Sequence, residues 1–121
     1  MKKILIVDDE PNIVMTLEYT FKKSNYEVFI ARDGQEALDI LKIKFPDIII
    51  LDIMMPMVDG FATLEQIKKD SNLQHTKVMF LSAKNKESDI EKGLALGADA
   101  YMTKPFSIKK VVEQVEELLS N

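Results

Sequence analysis

Five short apolar runs, each followed by a stretch with helical spacing, constrain this chain more than any other feature. The runs are Lys3–Val7, Glu27–Ala31, Asp47–Leu51, Lys77–Leu81 and Asp99–Met102. Segments this short and this rich in Ile and Val suit strands buried on both faces, as in a helix-covered parallel sheet. The intervening stretches predict helices over Pro11–Ser24, from an Asp33 cap to about Lys44, from an Asp59-Gly60 cap to about Lys69, over Glu87–Leu96, and onward from Ser107. Their apolar residues recur at helical spacing, as Ile13, Val14, Leu17 and Phe21 do in the first and Val111, Val115 and Leu118 in the last. Pro11 suits a first helical turn. Asp33-Gly34-Gln35-Glu36 has the spacing of a capping box. Gly97 suits a left-handed helix end. Strands joined by single helices cross over right-handedly. Five such units predict an α/β fold, a (βα)5 doubly wound parallel sheet of order 2-1-3-4-5.

The 121 residues suit one domain over 1–121, with no linker or repeat. A charged fraction of 30% against 46% hydrophobic is the balance of a globular chain. The net charge of −4 argues against direct nucleic-acid binding. No Cys is present, which removes disulfides, thiolate catalysis and Cys-based zinc sites. No apolar run approaches the roughly 20 residues that span a bilayer. A cytoplasmic, soluble setting without membrane contact is the expectation.

Parallel strands open their C-termini on one edge, where open α/β sheets place their sites. Asp8 and Asp9 follow the first strand, Asp52 the third, Ser82 the fourth and Lys104 the fifth. Carboxylates brought within about 4 Å repel by about 4 kcal/mol at an effective dielectric near 20, so stability alone does not account for the grouping. Hard oxygen donors suit Mg²⁺, Mn²⁺ or Ca²⁺ over zinc. Either Asp8 or Asp9 could also cap the first helix, a role compatible with holding a metal. Asp52, opening a loop after a fully apolar strand, is the candidate nucleophile, since a carboxylate can carry a phosphoryl group as an acyl phosphate. Lys104 suits a phosphoryl oxygen, although a lone Lys is as readily a surface residue. The Ser82 hydroxyl could donate to the same group or serve a simple turn.

Ile6-Val7-Asp8-Asp9-Glu10, Leu51-Asp52-Ile53-Met54-Met55-Pro56, Asp59-Gly60, Leu81-Ser82-Ala83, Gly97-Ala98-Asp99 and Lys104-Pro105-Phe106 occur in this order along nearly the whole chain. Each motif alone is weak, but together they are specific. The chain resembles the receiver domain of two-component response regulators, whose fold is the flavodoxin-like, CheY-like sheet. The resemblance implies that Asp52 is the phosphoacceptor, supplied by a sensor histidine kinase or a phosphotransfer protein. It implies Mg²⁺, replaceable by Mn²⁺, held by Asp8, Asp9, Asp52 and the backbone carbonyl of Met54. It implies that Ser82 and Tyr101 form the switch, that Lys104 holds a phosphoryl oxygen, and that the Ala83 N–H contacts the phosphoryl group. The implied role is a signalling switch and not a turnover enzyme, with catalysis limited to its own phosphoryl transfer and slow autodephosphorylation. Its output would be a downstream target or a fused domain, with a phosphorylation-dependent dimer as one form.

Two features refine this expectation. Ala100 and Gln114 stand where one dimerising subtype carries an acid and an Arg, which puts that dimer in doubt. Met54 and Lys84 flank the path of the attacking water in receivers, and an apolar Met cannot orient water, so a persistent phosphoryl group is expected. Competing classes lack their hallmarks. An Asp-nucleophile phosphohydrolase needs a second acid two positions on, where Met54 stands, and a cap domain. A flavin or dinucleotide carrier needs a phosphate loop after the first strand, but the glycines are Gly34, Gly60, Gly93 and Gly97. An unphosphorylated scaffold would not need the acid set.

Overall fold

The strands alternate their side chains between two cores, and that alternation sets the architecture. In the computed structural model, which describes residues 1–120, Leu5, Val7, Ile49, Leu51, Val78 and Phe80 face one core while Ile4, Ile6, Ile48, Ile50, Met79 and Leu81 face the other. This is the period-two pattern of a sheet buried on both sides. The elements run β1 (Lys3–Val7), α1 (Pro11–Lys23), β2 (Glu27–Ala31), α2 (Gly34–Leu41), β3 (Ile48–Leu51), α3 (Gly60–Lys69), β4 (Lys77–Ser82), α4 (Glu87–Ala95), β5 (Ala100–Thr103) and α5 (Ile108–Ser120), with a 3₁₀ turn at Ser71–Leu73. All strand pairings are parallel, in the order β2-β1-β3-β4-β5, as expected. Leu17 and Phe21 of α1 and Val111, Val115 and Leu118 of α5 cover one face. Ala37 and Leu41 of α2 with Phe61, Leu64 and Ile67 of α3 cover the other.

Local chemistry sets the helix ends. Asp59 accepts from the Ala62 N–H at 2.8 Å and starts α3. Asp33 accepts from the Glu36 N–H at 2.8 Å, so its half of the expected capping box forms. Gly97 takes φ +109° and closes α4. Ser107 accepts from the Lys110 N–H at the start of α5.

Several expected boundaries move: β3 starts at Ile48 and not Asp47, and α1 and α4 each end one residue early, at Lys23 and Ala95. Helix α2 stops at Leu41 and not near Lys44, where the ladder tightens into a turn: the Lys42 N–H donates to the Asp39 carbonyl at 3.3 Å and the Ile43 N–H to the Ile40 carbonyl at 3.1 Å. Strand β4 includes Ser82. Strand β5 runs Ala100–Thr103, one residue later than expected. Just before it, the Asp99 carboxylate accepts from the Val78 N–H at 2.8 Å. Among the described residues no helix is long and apolar enough to cross a membrane.

Candidate functional site at the strand C-termini

The register brings β1 and β3 side by side, with Val7 opposite Leu51. The residues that follow, Asp8 and Asp52, are therefore neighbours, and each is only 3% exposed. The Asp52 N–H donates to the Val7 carbonyl at 2.9 Å and the Asp8 N–H to the Ala31 carbonyl at 3.1 Å, which anchors both backbones to the sheet. Asp52 Oδ1 accepts from the Ile53 N–H at 2.8 Å. Gly60 lets α3 close over this turn, since a Cβ there would press on the Asp52 carbonyl oxygen and lie 2.7 Å from the Ile53 Cα.

Lys104 enters from the far edge of the sheet. Its N–H donates to the Ser82 carbonyl at 2.8 Å, its peptide bond to Pro105 is cis, and its side chain reaches back to the acids. The ammonium lies 2.9 Å from Asp8 Oδ2, 2.8 Å from Glu10 Oε1 and 3.7 Å from Asp52 Oδ2. Asp8, Glu10 and Asp52 each present a carboxylate oxygen within 4.8 Å of the others. With one ammonium among three carboxylates, the group keeps two unmatched negative charges. A hard divalent cation such as Mg²⁺ or Mn²⁺ fits that deficit and those oxygen donors.

Burial pushes the Asp52 carboxyl above the usual carboxylate range, and the Asp8 charge adds to it. The Lys104 ammonium, the Ile53 N–H and the Ser82 hydroxyl work in the opposite direction without cancelling the rise. Burial works against the Lys104 ammonium too, but its bonds to Glu10 and Asp8 and the Asp52 charge outweigh it and raise its pKa.

The other expected residues lie on the same edge. Ser82 is fully buried, and its hydroxyl accepts from the Lys84 N–H at 3.2 Å. Ala83 is exposed beside it. Met54 follows Asp52 in the loop with its side chain 57% exposed. The Tyr101 hydroxyl donates to the Lys84 carbonyl at 2.7 Å, and its ring packs on Phe80 with centroids 5.7 Å apart. Asp9 sits beside Asp8 at the same edge. It is exposed and lines a depression with Asp8 and Arg32, and the third carboxylate of the cluster is Glu10. Sequence reading passed over Glu10, and no local spacing singles it out, because its partner Lys104 is 94 residues away.

A five-stranded parallel sheet with two buried acids and a lysine at its C-terminal rim defines a receiver, a phosphorylation-regulated signalling module, and the chain belongs to this family. The model of the response regulator receiver domain matches residues 4–116. The chain is 44% identical over 118 residues to the alkaline phosphatase synthesis transcriptional regulatory protein PhoP of Bacillus subtilis (strain 168), covering 98% of itself and 48% of that regulator. It thus spans about half the length of that relative. Among solved structures, it superposes on the receiver domain of the Francisella response regulator 1452 with a TM-score of 0.91, at 34% identity, covering 99% of this chain and 98% of that one. The chemotaxis response regulator CheY4 of Vibrio cholerae matches with the same TM-score, at 30% identity and 98% coverage of both chains.

Proposed function

We propose that Asp52 accepts a phosphoryl group from the phosphohistidine of a sensor histidine kinase or a phosphotransfer protein. A carboxylate oxygen of Asp52 attacks phosphorus, the bond from phosphorus to the imidazole nitrogen breaks, and an acyl phosphate forms. The imidazole keeps the bonding pair. Asp8, Asp9, Asp52 and the Met54 carbonyl would hold Mg²⁺, which supplies charge neutralisation at the phosphoryl oxygens. Lys104, the Ser82 hydroxyl and the Ala83 N–H take the transferred oxygens. The observation that carries this reading is the Asp52 carboxylate, buried at the end of β3 with the Lys104 ammonium 3.7 Å from its free oxygen.

Phosphorylation adds about −1.5 to −2 charges at one point. Ser82 moves toward that charge and Tyr101 follows, which changes the face built from α4, β5 and α5. That face controls a partner or a fused output domain. The PhoP relative, about twice as long and named a transcriptional regulatory protein, supports a fused output. DNA contact then belongs to the output and not to this acidic domain, which works in the cytoplasm as a single unit over 1–121. Ala100 and Gln114 argue against one charged mode of dimerisation on the same face. The module is a switch whose catalysis is limited to gaining and slowly losing its own phosphoryl group.

The test is incubation with a small phosphodonor and Mg²⁺, followed by intact-mass measurement beside Asp52→Ala. The expected result is one phosphoryl adduct on the wild type and none on the variant. An adduct on both proteins, or on neither, would overturn the reading.

A further inference from the structure

The Glu10 side chain caps no helix. The residue is the N-cap of α1, yet its side chain makes no bond to the helix. Its N–H donates to Asp8 Oδ1 at 2.9 Å, forming a tight turn, and its carboxylate takes the Lys104 ammonium at 2.8 Å. The Glu10 side chain is 56% exposed and that of Lys104 10%, so a rim carboxylate holds the end of an otherwise enclosed lysine. The ammonium is nearer to Glu10 and Asp8 than to Asp52 by about an ångström, at 2.8 and 2.9 Å against 3.7 Å.

Resting on the reading of Asp52 as the acceptor, we infer that Glu10 is a positioning residue, which holds the Lys104 ammonium at the rim in the unphosphorylated chain and releases it when a phosphoryl group occupies Asp52. A half-exposed ion pair is weak. A phosphoryl group brings more charge and three strong acceptor oxygens, so it outcompetes Glu10 for the ammonium. Glu10 thereby favours the resting state. The contact that must break on activation is one the acceptor itself does not make.

The test uses the full ¹⁵N-labelled chain and the NMR signal of the Lys104 ammonium, assigned by its loss in Lys104→Met. Wild type and Glu10→Gln are compared free, then with Mg²⁺ and beryllofluoride as a phosphoryl mimic. The signals should differ in the free proteins and coincide in the loaded ones. Glu10→Gln should also bind beryllofluoride about two- to five-fold more tightly, the span expected for losing one weak ion pair. Glu18→Gln removes an equal charge from α1, where Glu18 pairs with Lys22 and not with Lys104, and should leave that affinity unchanged. An unchanged Lys104 signal in free Glu10→Gln, a difference that survives loading, or equal tightening by Glu18→Gln would overturn the inference. If the wild type binds no beryllofluoride, the acceptor reading itself has failed and takes this inference with it. Binding without the free-state difference condemns the Glu10 role alone.

Discussion

The Tyr101 hydroxyl donates to the Lys84 carbonyl at 2.7 Å, tying β5 to the loop that leads into α4. The same loop residue donates its N–H to the Ser82 hydroxyl at 3.2 Å. Lys84 therefore connects the two expected switch residues through its backbone. Tyr101→Phe keeps the ring on Phe80 but removes the donor, and should cost about 1 kcal/mol. Urea unfolding should show the loss, and amide exchange of Lys84, Asn85 and Lys86 should quicken. If neither changes, the bond does not hold the loop.

The basic limb of the stability profile should be steep. Burial raises the Tyr26 hydroxyl, with the Glu116 and Asp47 charges adding to it, and burial raises Tyr101, with Asp89 and Asp52 adding. Lys104 is raised as well, because its carboxylate partners outweigh its burial. Each group binds its proton more tightly folded than unfolded, so its contribution is complete below the unfolded values of 10.0 and 10.5 and is lost as pH rises through the folded ones. Urea midpoints should be level between pH 7 and 9 and fall above pH 10. Tyr26→Phe should flatten part of that fall. A profile level to pH 11 would contradict the expectation.

Without divalent cation, Asp52→Asn should be more stable than the wild type at pH 7. The folded carboxyl sits above its ordinary 3.8 because of burial first and the Asp8 charge second. Ionising it therefore destabilises the native state as pH rises through and above 3.8. The melting-temperature advantage of the variant should shrink as pH falls through the raised folded pKa toward the ordinary 3.8. Mg²⁺ should raise the wild-type melting temperature more than that of the variant. At a hundred times Kd the linkage contribution is about 2.7 kcal/mol. Equal melting temperatures at pH 7 would show that Asp52 carries no such burden.

The phosphoryl group should persist, because the exposed apolar Met54 side chain cannot orient an attacking water. Met54→Asn combined with Lys84→Glu should speed dephosphorylation, measured as loss of the adduct mass with time. Unchanged rates would remove the idea.

Much of this molecule is legible in its sequence. The apolar runs at Ile4–Val7, Ile48–Leu51 and Val78–Leu81 read as buried strands, and the fold rules then point to both the sheet order and the rim where Asp8, Asp52, Ser82 and Lys104 meet. Helix caps at Asp33 and Asp59 are equally plain, since a cap bond spans three residues and needs no tertiary partner. The end of α2 is less so, because nothing in the residues before Pro46 marks Leu41 as the last helical position, and the tightened bonds at Lys42 and Ile43 appear only in the fold.

Local spacing alone thus determined which residues form strands, which start helices, and which side chains arrive at the C-terminal edge. Only the tertiary structure decided which of the neighbouring acids meet Lys104 there. Asp8, Asp9 and Glu10 are adjacent in the chain, but the bond from the Glu10 N–H to Asp8 folds the turn so that Glu10 meets Lys104 while Asp9 stays outside the cluster. The reason is range: strand and helix signals act over a few residues, whereas the direction of a side chain in a loop depends on a charge that arrives from the opposite end of the sequence.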